Sequence, residues 1–248
     1  MPSYGMVIDL DKCYGCRACM VACKVENNTP GSHFWMYVFR LEEGEYPNAQ
    51  VRFMPRPCMH CDNAPCVKVC PVGARYKKDN GVIAVDWKRC IGCRYCEVAC
   101  PYGVNYFNAK SPEKNQYLDW DSPAAAALER VTNGVVPPYK NPDLDRVYGP
   151  EQRSIAGGGH VKGVVQKCTF CVHRLDKNLK PACVANCPSF ALKFGDLDDP
   201  NSDVSKLLAG NSSFRLQDEF GTRPKVRYIN GAEPGIGARQ IEAVIAKD

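Results

Sequence analysis

The sequence predicts an α+β protein of two similar halves, and three observations carry the prediction. All sixteen cysteines fall into four runs of four. The first and third runs sit in segments that repeat one another, Asp9-Leu10-Asp11-Lys12-Cys13-Tyr14-Gly15-Cys16 and Asp86-Trp87-Lys88-Arg89-Cys90-Ile91-Gly92-Cys93, the mark of a duplicated unit. Short β-prone stretches, bounded by turn residues, lead into each run and out of two of them.

Taken in order, Gly5 to Leu10 reads as a strand entering the first run, Cys13, Cys16, Cys19 and Cys23. The aromatic stripe Phe34, Trp35, Tyr37 and Phe39 reads as strand packing rather than an electron path. Val51 to Met54 leads into Cys58, Cys61, Cys66 and Cys70, and Ala74 to Lys77 leaves them. Gly81 to Asp86 leads into Cys90, Cys93, Cys96 and Cys100. Val161 to Gln166 leads into Cys168, Cys171, Cys183 and Cys187, with Ala191 to Phe194 as the strand that follows. Between the last two runs, residues 110–160 form an insertion rich in Pro, Gly and Asn. It holds one helical island, in which Ser122 caps, Pro123 takes the first turn, Ala124 to Arg130 continues and Asn133-Gly134 stops. Ordered insertions of this length commonly serve function, so this one is read as a partner contact. The C-terminal part offers a helix from Asp203 to Leu208, a strand from Lys225 to Ile229 and an amphipathic stretch from Ala238 to Ala246. Gly157-Gly158-Gly159 reads as a hinge, and Gly235-Ile236-Gly237 has no phosphate-loop context.

The chemistry lies in the cysteine spacing. Cys90-x2-Cys93-x2-Cys96-x3-Cys100-Pro101 is the run in which three thiolates hold one iron–sulfur cubane and the fourth holds its neighbour. Three cysteines at i, i+3 and i+6 in a tight loop wrap three corners of a small cube, while the fourth, on a following helical turn, points away. The second run departs by inserting Asp62-Asn63-Ala64-Pro65, and the fourth by inserting the eleven residues Val172 to Ala182. Both close alike, Cys66-Val67-Lys68-Val69-Cys70-Pro71 and Cys183-Val184-Ala185-Asn186-Cys187-Pro188, and the proline ends the turn. Structural zinc prefers two Cys-x2-Cys pairs a dozen or more residues apart, so three cysteines within seven residues suit it poorly. Disulfide stapling belongs to short secreted chains, whereas this one has 248 residues. Buried apolar cysteines would be scattered singly.

Two runs per half make two ferredoxin-like halves with pseudo-two-fold symmetry. Only the nineteen residues Pro71 to Arg89 separate the second and third runs, so these form a compact inner half, residues 51–109. The first and fourth runs pair around it in an outer half, residues 1–50 plus 161–248. The ligand sets expected are Cys58, Cys61 and Cys66 with Cys100; Cys90, Cys93 and Cys96 with Cys70; Cys13, Cys16 and Cys19 with Cys187; and Cys168, Cys171 and Cys183 with Cys23. Four [4Fe-4S] clusters, each near −2, bring roughly −8 and turn the formal +5 into about −3, so the basic excess is not a nucleic-acid signal. Lys12, Arg17, Lys88, Arg89, Arg94 and Lys167 flank the ligands, each more readily a solvated surface charge than a tuner of cluster potential. His60 and His173 lie inside ligand runs already complete in thiolates, and are expected to donate hydrogen bonds or sit at the surface. No apolar run nears eighteen residues and the N-terminus enters the first motif directly, so the chain is expected neither to span a membrane nor to carry an export tag. No Ser/His/Asp set or carboxylate pair stands out, so no catalytic residue is assigned.

These motifs resemble a family. Met6 to Asn27, Cys58-Met-His-Cys61-Asp-Asn-Ala-Pro-Cys66, Lys167-Cys168-Thr-Phe-Cys171 and Phe194-Gly-Asp-Leu-Asp-Asp-Pro200 are similar to the four-cluster electron-transfer subunits of molybdopterin oxidoreductases, nearest to the dimethyl sulfoxide and polysulfide reductase type. The resemblance covers residues 4 to 230. Nitrate reductase-like relatives replace one third-run cysteine by tryptophan, whereas Cys93 is retained here, which implies four cubanes. The insertion after Ala109 departs from the shorter members. The resemblance implies a non-catalytic relay between a molybdenum or tungsten catalytic subunit and a membrane anchor carrying quinone or haem. It also implies a peripheral position on a membrane-bound complex, with the periplasmic side favoured over the cytoplasmic face. A globule of this length has a radius of gyration of roughly 18 Å, too wide for one electron hop, so intermediate sites are needed. The alternatives are a free-standing multi-cluster ferredoxin, separated by co-purification, and a zinc-scaffold protein, separated by colour and metal content.

Overall fold

In the computed structural model of the chain, residues 1–30, 32–109, 147–156, 161–235 and 238–240 are described. The helical island expected at 122–134, the 157–159 hinge and the 241–246 part of the tail lie outside the described residues.

Strand β1 (Tyr4–Asp9) forms the centre of a four-stranded sheet of order β8-β1-β10-β9, with β8 at Leu192–Asp196, β9 at Ser213–Phe214 and β10 at Val226–Ile229. β1 runs parallel to β10, Met6 beside Val226, and antiparallel to β8, Ile8 beside Leu192. Side chains alternate across a strand. Met6 and Ile8 therefore enter the main core, while Val7 turns to the opposite face against Val204 and Ile229. Burial on both faces explains the unbroken apolar run Met6-Val7-Ile8. Val204 is carried by a helix, Asp203–Gly210, whose first turn is capped by the Ser202 hydroxyl accepting from the Ser205 amide at 3.2 Å.

A hairpin of β2 (Tyr37–Glu43) and β3 (Gln50–Arg56) accepts β11 (Arg239–Gln240) on its free edge, so the tail begins as strand. The expected junction at residues 50 and 51 falls inside this hairpin. The remaining strands are two pairs: β4 (Arg75–Lys77) with β5 (Ile83–Val85), and β6 (Tyr106–Phe107) with β7 (Val165–Gln166). Of the strand expected over Val161 to Gln166, only the last two residues are strand, with Gly163 and Val164 bonded to Asn108 just before them, and together they bring the fourth cysteine run beside the end of the third.

The sequence repeat carries matching backbone geometry. Gly15 and Gly92 have φ of 73° and 71°, and Arg17 and Arg94 both have φ of 62° immediately before helices α1 (Ala18–Asn27) and α3 (Tyr95–Val98). The Asp9 amide donates to Ala191 O at 2.9 Å, and the Asp86 amide to Ala74 O at 2.8 Å. Short helices lie inside the other two runs, neither entered through a left-handed residue: α2 (Pro65–Lys68) carries Cys66 and packs on α3, and a helix at Ala182–Ala185 carries Cys183 and packs on α1. Among the described residues no helix is long and apolar enough to cross a membrane.

Candidate metal centres

The turns just described aim the cysteines inward, and three cavities result. One is lined by Cys13, Cys16, Cys19 and Cys187, here called site I. One is lined by Cys58, Cys61, Cys66 and Cys100, site III. One is lined by Cys70, Cys90, Cys93 and Cys96, site IV. Each set joins three cysteines of one run to the last of another. Among the described residues no three His, Cys, Asp or Glu side chains converge on a single-ion position.

The fourth quartet, site II, is the most deeply buried. The Asn27 side-chain amide donates to both Cys23 Sγ, at 3.6 Å, and Cys171 Sγ, at 3.7 Å, which ties the end of the first run to the fourth. Burial, then the charges of Cys171, Cys23 and Cys168, push the Cys183 thiol well above its ordinary range. Cys168 is pushed up to about 12, by burial first and then by Cys58 and Cys171, so sites II and III are neighbours. Cys19 of site I likewise acts on Cys23 and Cys183, and Cys66 of site III on Cys96 of site IV. The quartets therefore run I, II, III, IV. Cys16 and Cys93, one at each end of that line, are the exposed cysteines.

Two of the flanking cations lie where they were expected. Lys12 is at the surface, paired with Asp9 at 2.9 Å, and Arg94 is at the surface, paired with Glu97 at 2.6 Å. Lys167 is not: its side chain is buried, and Nζ donates to the carbonyls of Ile83 and Cys168. Neither histidine reaches the surface. His173 Nε2 hydrogen-bonds Glu26 Oε1 at 2.8 Å, and Arg174 takes the other oxygen at 3.0 Å, so a buried carboxylate joins α1 to the fourth run. His60 Nδ1 accepts from the Ile83 amide at 3.1 Å, and its ring stacks on Phe170 with centroids 3.8 Å apart. Burial, with Lys167 and Lys225 nearby, holds His60 neutral.

Sequence reasoning missed two buried cations. Lys225 donates to the Gly81 carbonyl, and Arg75 lines site IV. Arg75 had a signal in the repeat: Cys70-Pro-Val-Gly-Ala-Arg75 matches Cys187-Pro-Ser-Phe-Ala-Leu192 in its Cys-Pro and Ala positions but carries a charge where the other has an apolar residue. Lys225 lies far from any cysteine run, and no local pattern marks it.

Comparison with known proteins accords with this geometry. Residues 49–137 and 156–197 match a 4Fe-4S dicluster domain family, and residues 12–74 match a second family of the same description. Two such domains imply four [4Fe-4S] clusters. The chain is 44% identical over 230 residues to the arsenate respiratory reductase iron-sulfur subunit of Shewanella sp. strain ANA-3, covering 91% of this chain and 95% of that one. It is 41% identical over 224 residues to a selenate reductase subunit of Mesobacillus selenatarsenatis, covering 90% and 70%. It is 35% identical over 259 residues to the menaquinone reductase iron-sulfur cluster-binding subunit of Nitratidesulfovibrio vulgaris, covering 93% and 89%. With sixteen thiols in four quartets and likeness along nearly its whole length, the chain belongs to the iron–sulfur electron-transfer subunits of the molybdopterin oxidoreductase family, of the arsenate, selenate and dimethyl sulfoxide reductase type.

Proposed function

We propose that each cubane is held by one of the four cysteine sets: Cys13, Cys16, Cys19 and Cys187 at site I; Cys168, Cys171, Cys183 and Cys23 at site II; Cys58, Cys61, Cys66 and Cys100 at site III; and Cys90, Cys93, Cys96 and Cys70 at site IV. So loaded, the subunit relays electrons between a molybdopterin catalytic subunit and a membrane subunit bearing quinone or haem. Each bound cubane supplies a one-electron site whose potential is set by charge, exposure and hydrogen bonds to sulfur. The chain's own residues do the rest. The cysteines of site II are buried, as are Cys58, Cys61 and Cys66 of site III, which keeps water from the middle of the line.

The observation that carries this reading is that the exposed cysteines lie at opposite ends of the series. Apolar side chains surround both. Tyr14 lines site I and is 59% exposed; Ile91 lines site IV and is 63% exposed, with Tyr95 and Val98 beside it on α3. Exposed apolar groups gathered at a site mark protein contacts. A soluble carrier exchanging electrons with many donors needs one exposed end, not two.

The halves follow as the outer ferredoxin-like unit 1–50 plus 161–248 and the inner unit 51–109, related by a pseudo-two-fold, with 110–160 inserted. The matched turns at Gly15 and Gly92 and the matched strand pairs support that relation. The complex acts on a sulfur or arsenic compound or a similar oxyanion, and the subunit sits peripherally on its membrane anchor. We favour the periplasmic face, because charged oxyanions cross a bilayer poorly and reach that face first. Protease access in intact and lysed spheroplasts tests the side.

The principal test is stopped-flow reduction of the purified complex by a quinol, with substrate added afterwards. The cubanes whose potentials lie above the quinol's should be reduced and then be oxidised by substrate. A subunit that purifies alone and takes electrons equally from unrelated donors would be a free carrier instead.

A further inference from the structure

Arg75 stands on β4 opposite Val85 and is 3% exposed, and among the described residues no oxygen or nitrogen accepts from its guanidinium, whose only hydrogen-bonding neighbours are the sulfurs of Cys66 and Cys96. A buried, unpaired cation is costly unless something of opposite charge faces it. What faces Arg75 is sulfur. It lines site IV beside Cys70, Cys90, Cys93 and Cys96. Its charged neighbours are the sulfurs of Cys66 in site III and of Cys96 in site IV. The guanidinium thus lies between two neighbouring quartets.

The outer half carries no charge at the matching position. At the same step beyond its Cys-Pro, Leu192 stands on β8 opposite Ile8 and lines site I. The two strands have equivalent register, since Ile8 precedes Asp9 as Val85 precedes Asp86 at the head of each repeat. One position of a duplicated framework thus carries a fixed charge in the inner half and a hydrocarbon in the outer. Lys167 and Lys225, two further buried cations near site III, direct their ammonium groups to backbone carbonyls.

We propose that Arg75 is a potential-setting residue, a fixed cation shared by sites III and IV that raises the reduction potentials of the two clusters there above those the same sites would have with leucine in its place. Accepting an electron makes a cluster and its thiolates more negative. A nearby positive charge in a low-dielectric interior stabilises that reduced state more than the oxidised one. The inner pair thereby retains electrons more strongly than it would without that charge. The inference rests on reading the cavities as cubane sites.

The test is a redox titration of the intact complex monitored by electron paramagnetic resonance, for the natural chain, Arg75→Leu and Arg75→Lys. The natural chain must first show four cubane signals and about sixteen irons by ligand count; fewer would defeat the reading of the sites and leave Arg75 aside. Given that, Arg75→Leu should lower two of the four midpoint potentials and leave the other two and the iron content unchanged, and Arg75→Lys should restore most of the shift. Four unchanged midpoints in an iron-replete Arg75→Leu would overturn the proposal, as would a lysine variant shifted as far as the leucine one. Arg75→Gln gives the same readout where the leucine variant fails to assemble. Iron lost from both neutral variants and recovered with lysine would assign Arg75 to assembly, which also overturns it.

Discussion

Gly92→Ala should damage site IV far more than an alanine at another left-handed glycine, and the size of the difference follows from the geometry. Gly92 lies between Cys90 and Cys93 with φ of 71°. A Cβ there would stand 2.0 Å from the Gly163 carbonyl oxygen and 3.1 Å from the Phe107 ring. The left-handed conformation alone costs an L-residue about 1–2 kcal/mol. The overlap is with backbone, which cannot rotate aside, and overpacking of that kind adds about 1–3 kcal/mol. Gly73 is the control, with φ of 61° and no described atom within 4 Å of the added carbon, so Gly73→Ala meets the first cost alone. The difference of about 1–3 kcal/mol corresponds to about 2–12 °C in apparent melting temperature for a chain of this size. Circular dichroism of the intact complex, heated at one fixed scan rate, measures it. Iron analysis localises it, because loss of one cubane removes about four of sixteen irons. Equal melting temperatures and equal iron in the two variants would refute the close approach of Gly163 to the cysteine loop.

Four further outcomes are expected. Chelation of iron should unfold the chain, since the cubanes replace much of its apolar core; native hydrogen-exchange protection in the iron-free sample would contradict this. Burial first, then neighbouring thiols, push Cys168 up to about 12, and burial pushes Cys171 up to about 11, so both thiols are protonated at neutral pH without the cluster. Loading releases those protons, and iron retention against a fixed chelator should therefore weaken from about pH 8 to pH 6, whereas a pH-independent loss would argue against thiolate ligation at site II. Cys70→Ser should alter the same resonance signal as Cys90→Ser and a different one from Cys58→Ser; grouping with Cys58→Ser would mean that the runs do not exchange their last cysteines. Glu26→Ala removes the carboxylate held by His173 and Arg174, and with Arg174 partly exposed and screened it should cost about 1–3 kcal/mol in stability. A melting temperature equal to that of the natural chain would show that the carboxylate is dispensable.

Residues close together along the chain were legible from their order. The strands entering the first and third runs appear at β1 and β5, those leaving the second and fourth at β4 and β8, and the Ser202-capped helix where the pattern placed it. The ten-residue length of α1 was not legible, because its buried face is set by Glu26 and Asn27 meeting the fourth run 144 to 148 residues later. The same limit hid Lys167: a lysine beside a cysteine reads as solvated until β5 is known to offer it the Ile83 carbonyl.

Sequence alone determined the kind of chemistry, because cluster ligation is a local matter. Three thiols in a seven-residue loop, with glycines free to take the left-handed turns at 15 and 92, specify the donor set wherever the loop is placed. Only the tertiary structure decided the order of the quartets, the exposure of Cys16 and Cys93 at opposite ends, and the burial of Arg75 where the other half has leucine. Those features arise where segments far apart along the chain pack together. A buried charge or an exposed thiol is defined by what surrounds it, and the neighbouring letters of the chain do not record that.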